Sequence, residues 1–336
     1  MIAPNISQFA IGNFASHFRA LRRAPTPYPA QDLYYLRVIL TLGGATALLA
    51  GAIGWIVGID PSFTFAFQDQ AVWYTGLLVV AAVCSAYYGQ RRISACLATL
   101  AIGPHISAFI YVLSYMAHAT GLPEQDALLR AVDLSLGFDW IAYVHGVLSR
   151  PLLAKILLYS YNSMIVQLPL APFFLLLFRP SHEAYRFAAI TTAAGVIGVC
   201  LAIRLPAISM LEWAGGDFDV SKWTSATPRD VVMLLRDHQF ERIDLSYPRG
   251  MLTFPSFHTL SACAMIYLYW NSPLRIPVTI LNILVMAAAL VYGAHYLADV
   301  LAGIVVFYGA AALFPATKPA EAFAGSTNTP MEAEAA

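Results

Sequence analysis

Repeated apolar runs, each about long enough to cross a membrane, constrain this chain more than any other feature. Eight can be marked off, at about 35–58, 70–89, 95–118, 152–178, 186–204, 254–271, 276–292 and 295–314. A helix of roughly 17–25 residues covers the ~30 Å of bilayer hydrocarbon. Only 11% of the 336 residues are charged, where a soluble domain carries roughly a quarter. Most of the surface therefore faces something other than water. The fold class that follows is all-α, a polytopic membrane helix bundle of about eight spans.

What lies between the runs gives organisation. Residues 1–34 hold Ile6, Phe9, Phe14, Phe18 and Leu21 near helical spacing, followed by Arg19, Arg22 and Arg23. This is a basic amphipathic helix on the membrane surface or a disordered leader, and it lacks the pattern of a signal peptide. Residues 35–118 supply the N-terminal spans and 119–315 a second membrane unit. Residues 316–336 are a low-complexity, disordered tail. Within the second unit, 119–150 has the mixed polarity of an interfacial helix, and 206–253 forms a long polar loop. Cys84, Cys96, Cys200 and Cys263 all fall inside apolar runs and read as small buried hydrophobes. A formal net charge of zero argues against nucleic acid as a partner.

Arginine placement sets the orientation. Arg91 and Arg92, Arg179 and Arg186, and Arg275 occupy alternate short loops, and Arg19, Arg22, Arg23 and Arg37 precede the first span. Basic short loops stay in the cytoplasm. The 59–69 loop, with Asp60 and Asp69 and no basic residue, and the long 206–253 loop are then outside. The expected location is the cell (inner) membrane, with the outer loops extracytoplasmic.

Two spans begin at that outer face with ionisable groups. "FPSFH" opens the run at 254 and "GAHYLADVLAG" the run at 295, so His258 and His295 return to the same side. Ionisable groups at the mouth of a span are costly unless paired or used. In a helix, His295 and Asp299 stack one turn apart, so the carboxylate can fix the imidazole tautomer and present Nε2 as nucleophile or base. Pro255 suits the first helical position, leaving the N–H groups of Ser256, Phe257 and His258 for an anion. Ser256 adds a hydroxyl and Arg249 a guanidinium. Two histidines, an orienting aspartate, a helix start and an arginine suit phosphoryl transfer through phosphohistidine.

"PSFHT" followed by "HYLAD" resembles the second and third motifs of the type-2 phosphatidic acid phosphatase superfamily. With "LGFDW" and "YSYNSMIVQLPL" upstream, residues 120–314 are most similar to its inositol phosphorylceramide synthase and sphingomyelin synthase branch. The resemblance implies a six-helix phosphatase-like core. It also implies His295 as nucleophile, Asp299 as its orienter and His258 as general acid, with Ser256 and Arg249 on the phosphate. The substrate would be a membrane lipid, the acceptor a small alcohol or water, with no cofactor and no metal. Three positions depart from the pattern: Phe257 replaces a glycine, Ala288 and Ala289 replace a serine–arginine pair, and Ile197 stands where a lysine would precede Arg204. Fewer cations favour a singly charged phosphodiester over a dianionic monoester. That points to a headgroup transferase on sphingolipid or phospholipid.

Duller accounts compete at each position. His258, His295 and Asp299 could bind zinc, though no HExxH-type motif supports it. His105, His118 and His145 read as structural, and Asn162 and Gln167 as hydrogen-bonding partners of a neighbouring helix. The competing functions are a plain lipid phosphatase, acting on diacylglycerol or polyprenyl phosphate, and a non-catalytic membrane transporter or scaffold.

Overall fold

Each of the eight apolar runs is helical in a computed structural model, which describes residues 29–64, 68–211, 229–239, 242–244 and 253–315. The first three are α1 (Ala30–Val57), α2 (Gln68–Tyr87) and α3 (Arg91–Ala119). Next come the short helices α4 (Asp126–Ser135) and α5 (Trp140–Leu148), then α6 (Pro151–Asn162), α7 (Met164–Phe178) and α8 (Ser181–Arg204). After α9 (Arg229–Arg236), the chain closes with α10 (Phe257–Tyr269), α11 (Arg275–Tyr292) and α12 (Leu297–Leu313). Local chemistry sets several ends. Gly58 takes the left-handed conformation, φ 74°, that stops α1, and Pro151 opens α6 where its missing N–H costs nothing.

Outward-facing Leu48, Trp55, Trp73, Ile165, Leu177 and Val305 are all more than half exposed. An apolar exterior of this extent belongs in lipid. Helices α1, α3, α8 and α11 are long and apolar enough to cross, and the chain is a multi-pass membrane protein. Helices α10 and α12 are shorter, at 13 and 17 residues, or about 20 and 26 Å. Both stop short at their N-terminal ends, where non-helical chain enters from 253–256 and 293–296. The starts of these two helices are thus sunk within the bundle.

The structure refines the reading of the connections. The run at 152–178 is two helices, yet Ser163 between them is itself helical (φ −61°, ψ −21°) and its N–H bonds the Tyr159 carbonyl, so the ladder continues. The sharp bend, 107°, falls earlier, between α5 and α6. The interfacial stretch forms two helices, α4 and α5, divided by Gly137 at φ 73°. The long polar loop is polar only in part: Pro206, Ala207, Ile208, Ser209 and Met210 are buried. The loop also contains α9, whose Arg236 pairs with Glu124 at 2.7 Å. A short parallel strand pair, Asp60–Thr64 with Arg242–Asp244, ties this loop to the 59–69 loop. The two loops assigned to one face from arginine placement meet at one end of the bundle. The N-terminal and C-terminal segments, residues 1–28 and 316–336, lie outside the described residues.

Two clusters make the interior. One joins α1, α3, α8, α10 and α12. The other gathers Trp140, Val144 and Tyr161 against Ala288, Ala289 and Tyr296. Inside it Trp140 Nε1 donates to the Leu290 carbonyl at 2.7 Å and the Tyr143 hydroxyl to Ala287 at 3.0 Å, so α5 is pinned across α11. Gln167 accepts from the buried Asn282 amide at 2.9 Å, the interhelical bond expected of it.

Candidate active site

The site forms where α10 and α12 begin side by side. Glycine permits the approach: a Cβ on Gly303 of α12 would lie 2.9 Å from both the Ser256 carbonyl oxygen and Thr259 Cβ. The Ser256 N–H donates to the Asp299 carbonyl at 3.1 Å, stitching the two helix starts together. The imidazoles of His258 and His295 then stand with ring centroids 6.2 Å apart.

His295 Nδ1 lies 3.2 Å from Asp299 Oδ2, and both side chains are buried. The pairing is as expected, but its geometry is a helix cap and not one turn of helix. Tyr296 is the N-cap residue of α12 and Asp299 its third helical residue. Asp299 Oδ2 also accepts the Tyr296 N–H at 2.8 Å. A carboxylate is an acceptor only, so this contact puts the imidazole proton on Nδ1 and leaves the lone pair on Nε2. Two features set the ring's position. Ala294 adopts φ 49°, a left-handed conformation strained for alanine. Gly293, at an ordinary φ of −95°, is required for space: a Cβ there would sit 2.6 Å from His295 Cδ2 and 3.1 Å from Nε2.

His258, the second residue of α10, is half-buried and stacks on Tyr161 with centroids 4.1 Å apart and planes 20° from parallel. Pro255 precedes the cap and is not the first helical residue. Ser256 is the N-cap, fully buried, and its hydroxyl accepts the Thr259 N–H at 3.4 Å. Since the Ser256 N–H is bonded to Asp299 and the Thr259 N–H to Ser256, the amides left at this helix start among the described residues are those of Phe257 and His258. Arg249 lies outside the described residues. The positions where the resemblance has serine and arginine, Ala288 and Ala289, are wholly buried, and the Ala289 carbonyl accepts the His295 N–H at 3.3 Å. Arg204 is exposed at the end of α8.

Sequence reasoning missed the carboxylates that hold this arrangement. Asp133 caps α12, its oxygens accepting the Leu297 and Ala298 N–H groups, each at 2.8 Å. Asp126, two turns away on α4, accepts the amides of Ile208 and Ser209 at 3.0–3.1 Å and the Tyr296 hydroxyl at 2.9 Å. Burial raises both carboxyl groups above the usual carboxylate range, against the pull of these donors. The signal was present: two acids seven residues apart in "DALLRAVDLS" lie on one helix face, beside a membrane that penalises them unless they are bonded.

From the histidines an apolar cavity of about 500 Å³ extends into the bundle, with Thr253, Phe257, Gly293 and Tyr161 at its mouth. No lysine or arginine among the described residues lines it. Nor do three or more His, Cys, Asp or Glu side chains gather among the described residues as a metal-binding group would require.

A helical membrane bundle with a carboxylate-held histidine facing a second histidine over an apolar cavity is the framework of a lipid-phosphate enzyme. The chain matches the PAP2 superfamily over residues 127–313, more than half its length, and belongs to that family. It is therefore a membrane enzyme of phosphatase or phosphotransferase type with a lipid substrate, which sets aside the transporter or scaffold alternative. Neither the curated proteins nor the solved structures yield a match.

Proposed function

We propose that the enzyme transfers a phospho-headgroup between a lipid and an alcohol, as an inositol phosphorylceramide synthase does, through a phosphohistidine on His295. The observation that carries this reading is the buried His295–Asp299 contact facing His258 at the mouth of the apolar cavity. Nε2 of His295 attacks phosphorus, the bond to the leaving oxygen breaks, and protonated His258 gives that oxygen its proton. The acceptor hydroxyl then attacks the phosphohistidine, returning its proton to His258 and freeing His295. Amides of Phe257 and His258 at the start of α10 face the phosphoryl oxygens, with Ser256 and Arg249 as further phosphate contacts. The chemistry runs at the extracytoplasmic face of the cell membrane, within a unit spanning 119–315, and needs no metal.

The absence of basic residues among the described cavity lining favours a singly charged phosphodiester. Water as acceptor would make the same site a lipid phosphate phosphatase, the second reading, and competition between inositol and water in product analysis separates the two.

Rapid quench with labelled substrate tests the first. Acid-labile, base-stable label should appear on wild-type protein and be absent from His295→Ala; equal labelling of the variant would refute the nucleophile assignment. His258→Ala should retain turnover of a nitrophenyl ester, whose leaving group needs no acid, and lose it for an alkyl one. Activity should persist in excess EDTA. Its loss, with rescue by one divalent metal, would turn the site into a metal centre.

A further inference from the structure

We infer that the first and third N-terminal helices, which lie outside the family match, form one wall of a binding chamber for a long hydrocarbon chain of the substrate, and that Gly103 gauges its length. The inference rests on the proposed histidine chemistry for where the reacting phosphorus sits.

The cavity that opens at His258 and His295 is walled by one continuous face of α3. Ala98, Ile102, Ile106, Ile110 and Ser114 recur every four residues along it. Leu36 and Ile39 of α1 close its deep end. None of these residues falls within 127–313. From Ser114 to Ala98 the wall is ~24 Å long, at a helical rise of ~1.5 Å per residue, so the cavity reaches most of the way through a bilayer's hydrocarbon. A volume of about 500 Å³ along such a wall accommodates an extended alkyl chain.

The lining suits hydrocarbon. Three of its hydroxyls are turned back: Thr99, Ser114 and Thr191 donate to carbonyls of their own helices. Gly103 sits on the lining face about 16 Å below Ser114, and a Cβ there would meet no atom within 4 Å. A side chain at this position therefore starts from open space on the chamber's wall.

The test uses full-length protein in detergent and alkyl p-nitrophenyl phosphodiesters of graded chain length. Wild-type kcat/KM should climb with chain length and level off when the chamber is full. Gly103→Leu should move that plateau to shorter chains, losing roughly fourfold per methylene no longer buried. Ala98→Leu, deeper, should affect only the longest chains, and the shortest diester should be turned over equally by all three. An unchanged chain-length profile in both variants would overturn the inference. Turnover that survives His295→Ala would instead defeat the site reading. Independently of turnover, an alkyl phosphate with a chain-terminal diazirine should label peptides containing Leu36–Ile39 or Ala98–Gly103. Labelling confined to lipid-facing residues such as Trp55 and Val305 would rule the chamber out.

Discussion

The starts of α10 and α12 lie side by side, carry one histidine each, and are served very differently. At α12, Asp133 takes the amides of Leu297 and Ala298 and Asp299 takes that of Tyr296, all at 2.8 Å. Three backbone donors are spent on protein carboxylates, and the ring of His295 is held by one of them. At α10 the cap is the Ser256 hydroxyl alone, at 3.4 Å, and His258 is steadied by stacking on Tyr161. A helix start is an anion site by virtue of free amides and the macrodipole. One start has filled that site with its own side chains and become an anchor. The other leaves room for an external anion. In the proposed mechanism the fixed nucleophile accordingly belongs to α12 and the phosphate contacts to α10.

The contrast can be broken at its strongest point. Asp299→Asn keeps the shape of the cap but lets an amide N–H face the His295 ring. By analogy with other histidine–aspartate pairs, turnover should fall about ten-thousand-fold. Circular dichroism and thermal melting should show the bundle intact, and a loss of under tenfold would mean that the carboxylate caps the helix without orienting the ring. Gly293→Ala comes next. Its Cβ would overlap His295 Cδ2, so the ring must rotate, and a misplacement of about 1 Å costs roughly a hundredfold. The loss should fall on kcat with KM little changed. An unaffected kcat would show that the ring has freedom the packing denies it.

How much of this was legible beforehand depends on the kind of signal. The eight runs were readable because burial in lipid selects continuous apolarity, and His258, His295 and Asp299 because charge is rare at such places. The strand pair was not, because it depends on which loops meet, and neither was the Ser256–Asp299 hydrogen bond that joins the two helix starts. Ser256 illustrates the limit: the sequence offered it as a phosphate ligand, and only the structure shows it fully buried on the Thr259 amide as a helix cap. Asp126 and Asp133 carried a visible spacing, but their partners, Ile208, Tyr296 and Leu297, are far along the chain, and no local pattern names them. Gly293 and Gly303 were silent in the sequence, since each is needed only for what packs against it.

The anchor itself can be weakened without touching either histidine. Asp133→Asn removes the charge and one of two acceptors from the start of α12, leaving a buried N–H poorly served. Stability should fall by about 2 kcal/mol, read as a lowered thermal midpoint in detergent. Because α12 carries His295, kcat should fall with it, by roughly tenfold. If the melting point drops and kcat does not, Asp133 supports the fold alone, and the anchoring half of the comparison fails.

The smallest effect is expected at Ser256, and it sharpens the other half. Its hydroxyl is fully buried and engaged with the Thr259 amide, which is the role of a cap, while its sequence position suits a phosphate ligand. The two roles separate cleanly in one variant. Ser256→Ala as the loss of a cap costs about 1 kcal/mol of stability and leaves KM for a phosphodiester within about threefold of wild type, an affinity change below 1 kcal/mol. As the loss of a phosphate contact it would raise KM by about tenfold or more at little cost in melting temperature. At 3.4 Å the contact with the Thr259 amide is long for a cap. Melting the variant with and without a slowly turned-over alkyl phosphate therefore decides the matter. Equal stabilisation of wild type and variant by the ligand makes Ser256 a cap in both states, and leaves the Phe257 and His258 amides as the backbone phosphate contacts of α10.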